Sequence, residues 1–98
     1  MSLLDDAIRK RKEIIFTYNG LSRVVQPATH GIHASSSNEV LRGYQVGGSS
    51  SSSQLPKWKL FDVSKIQHLQ ETGETFSSNP PCYKMGDSAM KIIYAELI

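Results

Sequence analysis

The sequence predicts a mainly β fold of the α+β type, a small curled antiparallel sheet or barrel preceded by a short helix. Two observations carry this prediction. Short runs of β-branched and aromatic residues recur along the chain, separated by turn-forming residues. Helical spacing of apolar residues is confined to the two ends. Since 98 residues suit one domain, residues 1–98 are expected to fold as a single unit.

The first predicted element is a helix over residues 3–12. Ser2 is followed three residues later by Asp5, as in a capping box with Asp in place of Glu. The apolar residues at helical spacing are Leu4, Ala7 and Ile8. Their stripe is narrow, so the helix needs another element to pack against.

A β-hairpin is predicted next. Residues 14–18 are β-branched and aromatic, and Asn19-Gly20 follows them. Asn-Gly favours a type I′ turn, which needs positive φ at both central residues. Leu21–Gln26 is the expected partner strand. Pro27 is expected to end it, because proline cannot donate to a strand ladder.

Four further strands are expected after the hairpin. They are Thr29–Ala34, Glu39–Val46, Lys57–Phe61 and Ile66–Gln70. Ser35–Asn38 predicts a turn, and Thr72-Gly73 is expected to reverse the chain after the last of these strands. Gly47-Gly48 and the serines at 49–53 predict a flexible loop that reaches Pro56.

The C-terminal segment fits two structures. Asp87 or Ser88 is suited to cap a helix. The residues on one face of that helix are Met90, Ile93, Tyr94 and Leu97. The adjacent Ile92-Ile93 pair also suits a strand. The helix is the favoured prediction.

Composition limits the class of protein. The formal net charge is +2, and it is concentrated in the run Arg9–Lys12, since the other seven basic residues are outnumbered by nine acidic ones. This run is expected to be the solvated end of the helix, with a phosphate- or partner-contacting role as the alternative. One cysteine, Cys82, excludes an internal disulfide and suits a reducing, cytoplasmic compartment. The chain shows neither a membrane-spanning apolar stretch nor an apolar secretory leader.

Catalytic and metal-binding patterns are weak. His30 and His33 are three apart, but zinc sites of this spacing need a second ligand pair, and we expect two loop or edge histidines. Cys82 is expected to be a small packed residue rather than a nucleophile. The sequence therefore predicts a non-enzymatic protein with no catalytic residue, no metal and no cofactor.

Cations and aromatic residues are interleaved on the predicted strands. Alternation places Arg42 and Tyr44 on one face of their strand, with Leu41 and Gly43 turned toward the core. The candidate site residues are Arg23, Arg42, Tyr44, Lys59 and Lys65. Arginine and lysine bind phosphates, and an aromatic ring can stack on a base. If the strands are neighbours, these cations are expected to converge on one patch.

The order of segments carries a family resemblance. Ala7-Ile8 leads to a strand that ends in Tyr18. The pattern Arg23-x-Val25-x-Pro27 and then Gly31 follow, and the late segment is Lys59-Leu60-Phe61-Asp62-Val63-Ser64-Lys65-Ile66, with Phe76 beyond it. Over about residues 4–76 this resembles the WYL domain, a small Sm/SH3-like β-barrel of bacterial and phage-related regulators. Residues 77–98 are then a C-terminal extension.

The resemblance has departures. Glu39-Val40-Leu41 replaces the Trp-Tyr-Leu triplet, so Tyr44 would have to take the place of the ligand-facing tyrosine. Asp62 replaces an arginine of the family, and Lys59 and Lys65 replace two others, which keeps the charge but loses the bidentate fork.

The resemblance implies a ligand- or nucleic-acid-binding regulatory module. The expected partners are single-stranded nucleic acid or a small anionic ligand, without a membrane. The alternative is a structural or interaction protein that pairs with a second copy or another protein through a strand edge or the C-terminal segment.

Overall fold

A computed structural model describes residues 3–48 and 56–98. The serines of the predicted loop, 49–53, lie outside these residues, but Gly47 and Gly48, predicted to be in the same loop, end a strand instead. One helix, α1, precedes six strands. The elements are α1 (Leu3–Arg9), β1 (Lys12–Tyr18), β2 (Leu21–His33), β3 (Glu39–Gly48), β4 (Lys57–Asp62), β5 (Gln67–Thr75) and β6 (Met90–Glu96). A short 3-10 turn over Val63–Lys65 joins β4 to β5. The mainly β prediction is confirmed.

Helix α1 is shorter than predicted. Its buried residues Leu4, Ala7 and Ile8 form the expected apolar stripe. The chain leaves the helix after Arg9, and Arg11 takes a positive φ of 53°, so the predicted continuation to residue 12 is wrong. Lys12 is already the first residue of β1.

The predicted hairpin is confirmed. Tyr18 pairs with Leu21 across a two-residue turn. Asn19 and Gly20 have φ values of 53° and 77°, as a type I′ turn requires. The turn sets the register of the β1–β2 ladder, in which Phe16 lies opposite Arg23.

Strand β2 runs through Pro27, so the prediction that this proline ends the strand is wrong. On one edge, β2 pairs with β1 up to Val25 and with β6 from Thr29 onward. Pro27 lies in the interval between these partners, and the pairing with β3 shifts register next to it. Proline is tolerated at such an irregularity because its missing N–H interrupts no regular ladder.

The strands form one antiparallel sheet in the order β4-β3-β2-β1-β5, with β6 on the second half of β2. Strands β4 and β5 are at its ends and the sheet is not closed, so the structure does not confirm a barrel. Strand β5 continues through Thr72-Gly73 to Thr75, and the predicted reversal there is wrong.

The C-terminal segment is strand β6, so the favoured helix is wrong and the alternative is correct. Residues of β6 add to the edge of β2 that β1 leaves open. Met90 and Leu97 are buried in this chain's own core, while Ile92 and Tyr94 are exposed. Met90 and Leu97 therefore pack within this chain rather than against a second one.

The core lies between α1 and one face of the sheet. Its main residues are Leu4, Ala7, Ile8, Ile14, Phe16, Val25, Leu41, Phe61, Phe76, Ala95 and Leu97. The rings of Phe16, Tyr18 and Phe61 meet edge to face, with Phe61 5.0 Å from each of the other two.

No helix in the described part of the chain is long and apolar enough to cross a membrane.

Candidate functional site

The register of β3 and β4 sorts the predicted site residues between two faces. Arg42 lies opposite Leu60, and Tyr44 lies opposite Trp58. Lys59 lies opposite Gly43 and therefore points to the other side, the side of the buried Leu41 and Phe61. We call the side of Leu41 and Phe61 the core face and the opposite side the outer face.

Arg23 belongs to the core face. Its Nη1 donates to Oε1 of Gln45 over 3.4 Å. Gln45 lies four residues after Leu41 on β3 and therefore on the same face. The predicted residues are therefore divided. Arg23 and Lys59 lie on the core face, Arg42 and Tyr44 on the outer face, and Lys65 is exposed on the 3-10 turn. The five residues do not converge on one patch, because β3 and β4 are neighbours whose alternation turns their cations to opposite sides.

Arg23 is a buried cation with few partners. The residue is 4% exposed. Nη2 donates to the carbonyl oxygen of Tyr18 over 3.3 Å, and the guanidinium carbon lies 5.6 Å from the centre of the Tyr18 ring. Its Nε has no hydrogen-bond partner, and no carboxylate among the described residues forms an ion pair with it. Burying a charge without an ion-pair partner lowers the stability of the fold unless hydrogen bonds or a bound anion compensate the charge.

Two lysines on β4 add to this positive charge. Burial lowers the pKa of the Lys59 ammonium group, and the charges of Arg23 and Lys57 lower it further. The strand register places Lys57 opposite Gln45 and Lys59 opposite Gly43, on the same face as Arg23, which bonds to Gln45. We call these three cations with Gln45 the Arg23–Lys59 face. It is suited to bind an anion, which would relieve the repulsion among all three cations.

The outer face is covered by residues 80–89, which we call the strap. Arg42 donates to the Asp87 carboxylate from Nε over 2.8 Å and from Nη2 over 3.4 Å. Trp58 Nε1 donates to the carbonyl oxygen of Pro81 over 2.7 Å. The rings of Trp58 and Tyr83 lie nearly parallel, 24° apart, with centres 6.3 Å apart. The charge of Arg42 is thus matched inside the chain.

Tyr44 is part of the same cluster. Its ring centre lies 5.2 Å from that of Trp58, and the residue is half-buried. Sequence reasoning missed Asp87 and Tyr83 as neighbours of this face. Asp87 is 45 residues from Arg42, and no local pattern predicts so distant a pairing.

His30 is not an edge or loop histidine. It is 3% exposed in β2, with Nδ1 2.6 Å from Asp5 and Nε2 2.5 Å from Glu39. The ring therefore joins α1, β2 and β3. His33 accepts hydrogen bonds from the turn that follows it, at Ser35 N and Ser36 N. Within residues 3–48 and 56–98, no three potential ligands are grouped to hold a metal.

Cys82 is exposed rather than packed, which corrects the prediction from sequence. It lies on the strap with a positive φ of 65°. Its neighbour Tyr83 turns inward and donates its hydroxyl proton to the Leu97 carbonyl oxygen over 2.8 Å. Burial raises the pKa of that hydroxyl.

Acid is expected to destabilise the strap. Burial alone would raise the pKa of the Asp87 carboxyl, but hydrogen bonds from Arg42 and Ala89 N and the charge of Arg42 hold it below its usual value. A lowered pKa stabilises the fold at pH values above that of the unfolded chain, about 3.9, and the gain is lost as pH falls through the folded value. Stability should therefore decrease as pH falls below about 4, measured by urea unfolding.

The control for this prediction is Asp87→Asn. It should reduce the pH dependence without removing it, because hydrogen bonds from Ser64 also lower the pKa of Asp62. Identical pH dependence in the wild type and the variant would contradict a stabilising role for the Arg42–Asp87 pair.

Comparison with known proteins does not identify a family or a function for this chain. No protein-family model, curated protein or solved structure gives a significant match to this chain.

Proposed function

We propose that this protein is a non-enzymatic, WYL-like regulatory module that binds anions on the Arg23–Lys59 face, with single-stranded nucleic acid as the principal ligand. The observation that carries the proposal is the buried Arg23 guanidinium, which forms no ion pair with a carboxylate in the described part of the chain. Proteins almost never bury an arginine fully without an ion-pair partner, and an anionic ligand would supply that partner. The order of sequence motifs, from Ala7-Ile8 to Phe76, supports the same type of module.

The chemistry of the face suits phosphate. The guanidinium of Arg23 is buried, so it attracts phosphate to this face by its charge, whereas half-buried Lys59 can donate a charge-assisted hydrogen bond, which is about twice as strong as a neutral one. Lys57 and Lys59 supply further charge to neutralise neighbouring phosphates. Tyr18, whose ring lies beside Arg23, is a half-buried aromatic residue at this face. Lys65 would contact the bound nucleic-acid strand at a phosphate farther along.

The structure changes the expected contribution of two predicted residues. Arg42 already donates two hydrogen bonds to Asp87, and Tyr44 packs on Trp58. We therefore assign phosphate binding to Arg23 and Lys59 rather than to Arg42. Arg42→Glu would be a poor test, because it places a second carboxylate beside Asp87 and disturbs the strap.

Fluorescence anisotropy with labelled oligo-dT and oligo-U tests this function at two salt concentrations. We expect affinity to fall steeply with added salt, since phosphate binding releases counterions. Lys59→Glu should weaken binding at least about tenfold, a change of about 1.4 kcal/mol. The variant places a carboxylate near Arg23 and should stabilise the fold, so weaker binding would not reflect unfolding.

The matched control is Lys91→Glu, the same charge change at an exposed position of β6. It should change affinity by no more than about twofold, an effect typical of a distant surface charge. Equal losses in both variants would indicate nonspecific attraction by net charge. Absence of binding at low salt would contradict nucleic acid as the ligand.

A further inference from the structure

A cavity of about 220 Å³ lies between the strap and the outer face of the sheet. It is separate from the Arg23–Lys59 face, because β4 lies between the two and turns Trp58 to one side and Lys59 to the other. Its lining residues are Thr29, Arg42, Trp58, Cys82, Tyr83, Lys84 and Asp87. Four of these seven belong to the strap.

The lining combines flat apolar walls with groups that both donate and accept hydrogen bonds. Trp58 and Tyr83 contribute two nearly parallel rings. Thr29 contributes a fully buried residue that carries a hydroxyl, which can donate and accept. The Arg42–Asp87 pair presents a cation and an anion side by side, so the two charges cancel within the cavity.

This lining selects a class of ligand. Nearly parallel rings favour a planar molecule that stacks. The paired charges favour a neutral molecule, because a charged one would meet attraction and repulsion at nearly the same distance. The adjoining donors and acceptors favour a ligand with both kinds of group on its edge.

We propose that this cavity binds one neutral, planar nitrogen heterocycle of the nucleobase type. Its volume of about 220 Å³ is below the range of about 300–1,000 Å³ of sites for drug-sized molecules, so it suits a single ring system. Lys84, which is exposed, tolerates a sugar or phosphate attached to the base.

The site goes beyond the proposed anion-binding function and does not depend on it. Anion binding uses Arg23 and Lys59 on the core face, whereas base binding uses the strap and the outer face. Uncharged nucleosides therefore test the cavity alone, since they carry no phosphate for the Arg23–Lys59 face.

Trp58 is the single tryptophan and lines the cavity, so it reports binding directly. The full chain is titrated with adenosine and with uridine, and the Trp58 indole N–H resonance is followed by nuclear magnetic resonance. We expect a saturable shift for at least one nucleoside. Cys82→Phe, which adds a ring at the cavity wall, should weaken that binding by about tenfold or more, equivalent to about 1.4 kcal/mol.

The matched control is Met85→Phe, which adds a ring to the same strap at a 56% exposed residue outside the cavity lining. It should leave nucleoside affinity within about twofold of the wild type. Thr29→Val removes the buried hydroxyl at nearly constant volume, and it should also weaken binding. Urea midpoints identify any variant that fails to fold.

Three results would overturn the proposal. The first is the absence of a saturable shift with either nucleoside at millimolar concentration. The second is an equal loss in the Cys82 and Met85 variants. The third is unchanged affinity in both Cys82→Phe and Thr29→Val. Any of these would leave the oligonucleotide test of the Arg23–Lys59 face intact, because that test depends on charge and uses other residues.

Discussion

Gly31→Ala is expected to lower the free energy of unfolding by about 3 kcal/mol, the upper end of the usual cost of overpacking. A Cβ at this position would lie 2.0 Å from the carbonyl oxygen of Ile92 and 3.0 Å from its carbonyl carbon. Both atoms belong to the backbone of β6. A side chain could rotate away, but here the whole strand would have to move.

Displacement of β6 affects the core as well as the edge of the sheet. Strand β6 and the residue after it contribute Ala95 and Leu97 to the core, and Leu97 N donates to the Ala28 carbonyl oxygen over 2.9 Å. Hydrogen exchange should therefore show the largest loss of protection in β6 and in the second half of β2. Urea unfolding measures the loss of stability.

Gly47→Ala is the matched control. Its added Cβ would lie 3.4 Å from Val24 Cβ, an ordinary contact, and Gly47 does not have a positive φ. Alanine at a compatible position reduces the entropy of the unfolded chain, so this variant should gain about 0.4–1 kcal/mol. A Gly31 variant as stable as the Gly47 variant would contradict the close contact between β2 and β6.

Local signals predicted the parts of the fold that local chemistry determines. Asn19-Gly20 identified the hairpin because few other residue pairs accept positive φ twice. Alternation along β3 correctly placed Leu41 and Gly43 toward the core. These features depend on neighbours in sequence, so the sequence contains enough information to predict them.

The C-terminal segment shows where local signals fail. Its apolar residues fit a helical period and a strand period, and a short segment cannot separate the two. The outcome depends on the open edge of β2 beyond Val25, which exists only after the sheet has formed. The prediction for Pro27 is wrong for a related reason, since its surroundings depend on where β1 ends and β6 begins.

The candidate site was predicted in its residue types but not in its arrangement. Arg23 and Lys59 share the core face, where burial and the charge of Arg23 lower the pKa of Lys59. Arg42 was expected beside them, but it lies on the other face and pairs with Asp87. Alternation on one strand is a local property, whereas the pairing of Arg42 with a residue 45 positions away is a property of the folded chain.

Arg23→Met is expected to have opposite effects on stability and on binding. The substitution removes a buried charge whose Nε has no partner, and methionine fills similar space with apolar atoms. Replacing buried charges by apolar residues often stabilises proteins by about 1–4 kcal/mol, and we expect a gain of at least about 1 kcal/mol here. Oligonucleotide binding should fall by about tenfold or more, since the buried positive charge that attracts phosphate to this face is lost.

Arg42→Met tests the contrast between the two faces. It leaves Asp87, whose side chain is only 12% exposed, without its cation, so this variant should lose stability while keeping its affinity for oligonucleotides.

Inorganic phosphate provides a second measurement, because a ligand that binds only the folded state raises its stability. Phosphate should raise the melting temperature of the wild type and of Arg42→Met, and leave that of Arg23→Met unchanged. A stabilised Arg23→Met variant that still binds would mean that the buried guanidinium is not the anion site. A destabilised variant would mean that its bonds to Gln45 and Tyr18 outweigh the cost of burying the charge, which would remove the observation on which the proposed function rests.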